Sequence, residues 1–126
     1  MNHEPNMPQG MHSPMPVLIF TNTARFALGQ IVATPGALAL LQTMGFSAAA
    51  LIGRHVHGDW GDCCIEDAAE NEFAVTRQLR LMSVYRLTDP VKLADTPKTK
   101  RSELPTLWII TEPDRSVTTL LLPEEY

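Results

Sequence analysis

The chain has 126 residues, a formal charge of −4, 44% hydrophobic residues and 19% charged residues. That size and mixture suit one small globular domain and exclude a two-domain enzyme or a charge-driven disordered chain. With Lys and Arg at 10 against Asp and Glu at 14, no positive excess exists to neutralise the phosphates of a bulk nucleic-acid ligand.

Met1–Pro16 is rich in Pro, Met and Asn and predicts a flexible leader. It has neither the basic start nor the apolar stretch of a signal peptide. Val17–Phe20 is a short apolar run of strand type, and Phe26–Ala33 is a second, interrupted at Gly29 by a bulge or a close backbone approach. Thr34-Pro35 then reads as a helix start, since a Thr hydroxyl caps orphan amides and Pro suits the first helical position. Leu38, Leu41 and Met44 continue at helical spacing, and Gly45 ends that helix. Ser47 caps a second helix running through His55 towards Gly58.

Gly58–Asp62 is a compact turn. A third helix is predicted over Ile65–Gln78, with Ile65, Ala69, Phe73 and Val75 or Thr76 as its buried stripe. The period then changes. Leu79, Leu81, Ser83, Tyr85 and Leu87 alternate with Arg80, Met82, Val84 and Arg86, as in a strand. Thr88–Pro105 is polar, Pro-interrupted and basic, and reads as a long exposed loop. Thr106–Glu112 and Val117–Leu122 are β-prone runs around a Pro113–Ser116 turn. The expected fold is therefore α+β: a single domain over residues 17–126, about three helices packed on an antiparallel sheet with a C-terminal β-meander. Val117–Leu122 is also a strand through which a homodimer could pair.

No apolar run approaches the ~20 residues of a spanning helix, so no membrane partner is expected. The adjacent Cys63 and Cys64 do not make a disulfide framework, which points to a reduced, cytoplasmic protein. No phosphate-binding loop, dinucleotide fingerprint or nucleophile elbow is present, so no cofactor is expected.

Three clusters carry chemistry. Arg54–Cys64 holds two His, two Asp and two Cys, all metal-ligand types, with His57, Asp59 and Cys64 the candidate metal set. The alternative is a turn shaped by glycines, in which Trp60 plugs the core and the aspartates hold backbone amides. From Asp59 to Glu72 stand six acids and no Lys or Arg: a solvated helix face, or a surface for a basic partner. The binding candidates there are Asp59, Trp60, Asp62, Glu66, Asp67 and Glu70. Around the last turn, Asp114, Arg115 and Ser116 are further binding candidates, because an Arg beside hydroxyls can hold a phosphate or carboxylate. Joined to His55 or His57 and to Thr118 and Thr119, Arg115 would make a metal-independent phosphodiesterase or RNase-like centre, with His as acid or base and Arg115 stabilising developing charge.

The blocks HGDWGD (57–62), N-E-x-A (71–74), L-x-S-V-Y-R-L (81–87) and WIITEPDRSVTTLLLPEEY (108–126) resemble a family of small bacterial proteins carried on plasmids and integrative elements. The resemblance covers about residues 26–126, with the leader and the 88–105 stretch as additions. It implies an accessory role in element maintenance or in countering host defence, of anti-restriction or anti-CRISPR type, through binding a protein partner such as a host defence component. It brings with it no catalytic residues.

Overall fold

The computed structural model describes residues 23–126. The expected leader and the Val17–Phe20 strand lie outside the described residues. In chain order the elements are β1 (Gln30–Ala33), α1 (Pro35–Met44), α2 (Ala48–Val56), α3 (Ile65–Arg77), β2 (Leu81–Arg86), α4 (Pro90–Asp95), β3 (Thr106–Thr111) and β4 (Val117–Leu121). Two 3-10 segments, Lys98–Glu103 and Pro123–Glu125, complete an α+β domain. Among the described residues no single helix is long and apolar enough to cross a membrane.

Local signals account for the first two helices. The Thr34 hydroxyl accepts from the Ala37 amide at 3.0 Å, Pro35 opens α1, and Gly45 closes it in the left-handed region at φ 72°. The Ser47 hydroxyl accepts from the Ala50 amide at 3.1 Å and starts α2. Each such cap contributes about 1 kcal/mol.

The sheet order is β1-β4-β3-β2. β2, β3 and β4 form the expected antiparallel meander, but β1 runs parallel to β4, so the sheet is mixed. β1 is also shorter than the predicted Phe26–Ala33 run. Gly29 precedes it at φ +65°, where any Cβ would collide with the carbonyls of Arg115 and Ser116. β4 has strand partners on both sides, which removes Val117–Leu121 as an open pairing edge for a homodimer.

The outer edge of β2 is closed by other means. The Asn71 side chain donates to the Met82 carbonyl at 2.7 Å and accepts from the Met82 amide at 3.1 Å. Two residues on, the Val84 amide donates to the Trp60 carbonyl at 3.0 Å, and the Val84 carbonyl accepts from the Asp62 amide at 2.6 Å. One side chain and one turn thus replace a neighbouring strand.

The larger core cluster joins Ala37, Leu41, Leu51 and Ile52 of the first two helices to Tyr85, Leu87, Leu107, Ile109 and Leu120 of the sheet. A smaller one gathers Trp60, Ala74 and Leu81, with Phe26, Ala68 and Val75 packed against it. The predicted α3 stripe therefore holds only at Val75. Ile65 is 85% exposed, Phe73 is 51% exposed, and the buried residues are Asn71 and Ala74. Pairing Asn71 with the β2 edge sets the roll of the helix, and that polar anchor outweighs the apolar periodicity. The 88–105 stretch is mostly exposed, as expected, but it is not a loop: it folds into α4 and a 3-10 segment. Asp89 caps the Lys92 amide at 2.8 Å and Pro90 takes the first helical position, repeating the Thr34-Pro35 signal.

Candidate functional site

The Gly58–Asp62 turn is built around Trp60, which is 5% exposed. Its ring stacks on Phe26 at 6.2 Å between centroids, and its indole N–H donates to Glu72 at 3.0 Å. Gly58 and Gly61 both adopt positive φ, and Gly61 lies against the Val84 carbonyl with no room for a Cβ. The Asp59 carboxylate accepts from the Gly61 amide at 3.2 Å and pairs with Arg54 at 2.7 Å; those Arg54 bonds hold its pKa below the ordinary value. Burial opposes ionisation of Asp62, but hydrogen bonds from Arg86 and Arg101, each at 2.8 Å, overcome it and keep the carboxyl acidic. Glu72 binds the Arg25 guanidinium through both oxygens at 2.9 and 2.8 Å. Together with the Trp60 bond this draws its pKa down to about 2.

His55 is 0% exposed. Its Nδ1 lies 2.6 Å from the Ser83 hydroxyl and its Nε2 2.9 Å from the Thr111 hydroxyl; Thr111 meets Thr118 at 2.8 Å, and Thr118 donates to the Leu28 carbonyl at 2.7 Å. Each hydroxyl has one proton, so the direction of the last bond orders the chain. Thr111 donates to Thr118, Nε2–H donates to Thr111, and Nδ1 accepts from Ser83. Burial, reinforced by the charge of Arg115, pushes the His55 pKa down to about 3, so the ring is neutral.

Arg115 stands at φ 59°, and its guanidinium donates to the carbonyls of Leu79 at 2.7 Å, Ala74 at 2.9 Å and Glu112 at 3.1 Å. It clamps the β3–β4 hairpin to the C-terminal end of α3 and the approach to β2. Asp114 accepts from the amide and hydroxyl of Ser116 at 3.0 and 2.6 Å, which closes the hairpin turn and lowers the Asp114 pKa.

The expected phosphodiesterase set is divided by this arrangement. His55 and Thr118 are sealed in the core. Thr119 points to the opposite sheet face, because neighbouring strand residues alternate. His57 is exposed beyond α2, its Nδ1–H donating to the Gly53 carbonyl at 2.6 Å and its Nε2 bonded to Thr23. Arg115 is engaged by backbone. The metal set of His57, Asp59 and Cys64 does not assemble either: Asp59 is held by Arg54, and the Cys64 sulfur accepts from the Asp67 amide as the α3 cap at 3.4 Å. Among the described residues, no three His, Cys, Asp or Glu side chains could hold a metal ion. Cys63 and Cys64 are free thiols, and burial together with Asp67 raises the Cys63 pKa, so thiolate is disfavoured.

The acidic stretch also divides. Asp59, Asp62 and Glu72 are neutralised by arginines from elsewhere in the chain. Glu66, Asp67 and Glu70 carry no ion pair among the described residues. Beside the last two, an open groove of about 520 Å³ runs between α3 and the start of β2, lined among others by Asp67, Glu70, Phe73, Leu79, Arg80 and Met82. Sequence reasoning missed this groove because it placed Phe73 in the core. A second cleft, about 480 Å³, lies between the start of α3 and the 98–103 segment, where Arg86 and Arg101 meet Asp62. The basic 88–105 stretch therefore turns Arg101 inward.

In comparisons with known proteins, the chain matches no family model, no curated protein and no solved structure.

Proposed function

We propose that this chain is an accessory protein of a mobile genetic element that acts by binding a protein partner, with a host defence component as the specific case. One observation carries the reading. The groups best suited to acid–base chemistry in the distinctive sequence blocks are engaged in internal bonds, whereas acids with no ion pair among the described residues and exposed large apolar side chains gather along α3. The resemblance of four sequence blocks to plasmid- and integrative-element proteins supports the mobile-element half of the reading. Free thiols at Cys63 and Cys64 are in keeping with a reducing, cytoplasmic setting. The phosphodiesterase alternative has against it a buried, neutral His55 and a backbone-bound Arg115.

The test is genetic and physical. An element with and without the gene is introduced into isogenic hosts that carry or lack restriction and CRISPR systems, and the tagged protein is crosslinked in living cells. Loss of the gene is expected to lower element establishment in a defended host only, and one defence or replication protein should dominate the crosslinks. Unchanged establishment in every background, with no host protein crosslinked, overturns the reading.

A further inference from the structure

We propose that the groove between α3 and β2 is a docking site for a basic, amphipathic α-helix of the partner protein, lying with its cationic end over Asp67 and Glu70. The proposal rests on the binding reading above and specifies its surface and the chemistry of its ligand.

The groove's volume, about 520 Å³, falls in the range of sites that hold a ligand or the anchor side chains of a partner. Its apolar lining is open to solvent: Phe73 is 51% and Leu79 is 48% exposed, and Met82 is half-buried. Large apolar residues grouped in a concave surface mark interaction sites more often than singly scattered ones do.

Main-chain hydrogen bonding decides against an extended peptide. Strand addition needs free amides and carbonyls along the receiving edge. Here both main-chain groups of Met82 are taken by Asn71. The Leu79 amide donates to the Ala74 carbonyl and the Leu79 carbonyl accepts from Arg115. What remains is recognition through side chains, in which a helix lays one apolar face into the groove and anchors it at i, i+3 and i+4.

Charge sets the partner's sign and direction. Glu66 and Asp67 lie in the first turn of α3, where acids also complement the helix dipole. Glu70 lies a turn further on, where the dipole does not account for it. Asp67 and Glu70 border one end, while Arg80 lines the groove and Arg77 sits over the Phe73 ring at 4.5 Å at the other. A partner helix with Lys or Arg towards one end and neutral or acidic residues towards the other fits this polarity.

The experiment selects displayed peptides of about 16 residues, long enough for roughly four helical turns, on the wild-type protein and on two variants, Phe73→Ser and Asp67→Lys/Glu70→Lys. Enriched sequences should carry large apolar residues at helical spacing and Lys or Arg towards one end. Synthesised, such a peptide should bind the Phe73→Ser protein about tenfold or more weakly, as truncation of an interface anchor does. Charge reversal should abolish binding, and added salt should weaken it. Phe73→Ser should melt near the wild-type temperature, since that ring lies outside the core, and the double Lys variant a few degrees lower, since it places cations in the first turns of α3, where acids complement the dipole. Amide shifts of the wild-type protein on titration should fall on α3 and the start of β2, which tests the site without any variant. The proposal is overturned if no peptide is enriched, if enriched peptides are extended and lack the helical pattern, if both variants bind as wild type, or if the shifts lie elsewhere. It is also overturned if the wild-type protein is a dimer that Phe73→Ser dissociates, since the occupant is then a second copy. If the gene protects its element and both groove variants protect equally well, the groove falls while the binding reading stands.

Discussion

His55 shows how far one residue's identity underdetermines its role. As a sequence feature it is a titratable group among metal-ligand types; in place it is a neutral link in a hydrogen-bonded chain from Ser83 to the Leu28 carbonyl. Its pKa is about 3 folded against 6.5 for the free side chain. The folded pKa is the lower one, so the unfolded chain takes up the proton first, and stability is lost as pH falls from about 6.5 towards 3. The Glu72 pKa of about 2, against an ordinary 4.5, adds a second loss that begins only below about pH 4.5. Urea unfolding between pH 7 and 5 should therefore show falling stability in the wild type and a flatter profile in His55→Gln. An unchanged slope in that variant would assign the dependence to other groups.

Arg115 makes a complementary case, since it joins an unfavourable backbone to a favourable side chain. Arg115→Ala should cost roughly 2–3 kcal/mol through loss of charge-assisted bonds to three carbonyls. Arg115→Gly loses the same bonds but relieves the positive φ, so it should be about 1 kcal/mol more stable than the Ala variant. Denaturant midpoints of the two variants check the order.

At the scale of elements, the placement of α3 turns on polar contacts more than on its apolar residues. Asn71→Leu keeps the branched shape of the side chain and removes both bonds to Met82, leaving a half-buried amide and carbonyl unpaired; a cost of about 2–3 kcal/mol is expected. Phe73→Ser, at a residue of the expected buried stripe, should cost under about 0.5 kcal/mol because that ring is on the surface. Thermal melting of the pair distinguishes the observed helix face from the apolar-stripe face, which predicts the reverse order. β1 depends in the same way on Gly29. Its substitution by Ala should detach the edge strand, read as faster amide exchange across Gln30–Ala33 than in the rest of the sheet.

Over the whole molecule, the mild net charge conceals a set of long-range pairings. Arg101 reaches Asp62 across 39 residues of sequence, and Arg25 reaches Glu72 across 47. The first ties the 98–103 excursion to the Trp60 turn. Asp62→Asn should therefore raise amide exchange in Lys98–Glu103 while leaving the meander protected. These pairings also determine which acids are available to a partner, and they reduce a six-acid stretch to three residues on α3.

Short-range chemistry was legible in the sequence. Thr34-Pro35 with Gly45, the Ser47 cap and the alternation over residues 81–87 each act within a few residues of themselves, so the helices, the meander and the α+β class could be derived without coordinates. The Asp89-Pro90 cap was equally local, and it was masked by the polar, Pro-rich composition around it. The parallel seat of β1, the roll of α3, the burial of His55 and the closing of the β2 edge were decided by tertiary structure alone. Each depends on a hydrogen bond or a close approach between segments distant in sequence, where periodicity and capping carry no information. The candidate site followed suit: His55 and Thr118 are buried and Arg115 is engaged by such contacts, and the α3 groove exists because a polar bond, Asn71 to Met82, turned Phe73 outward.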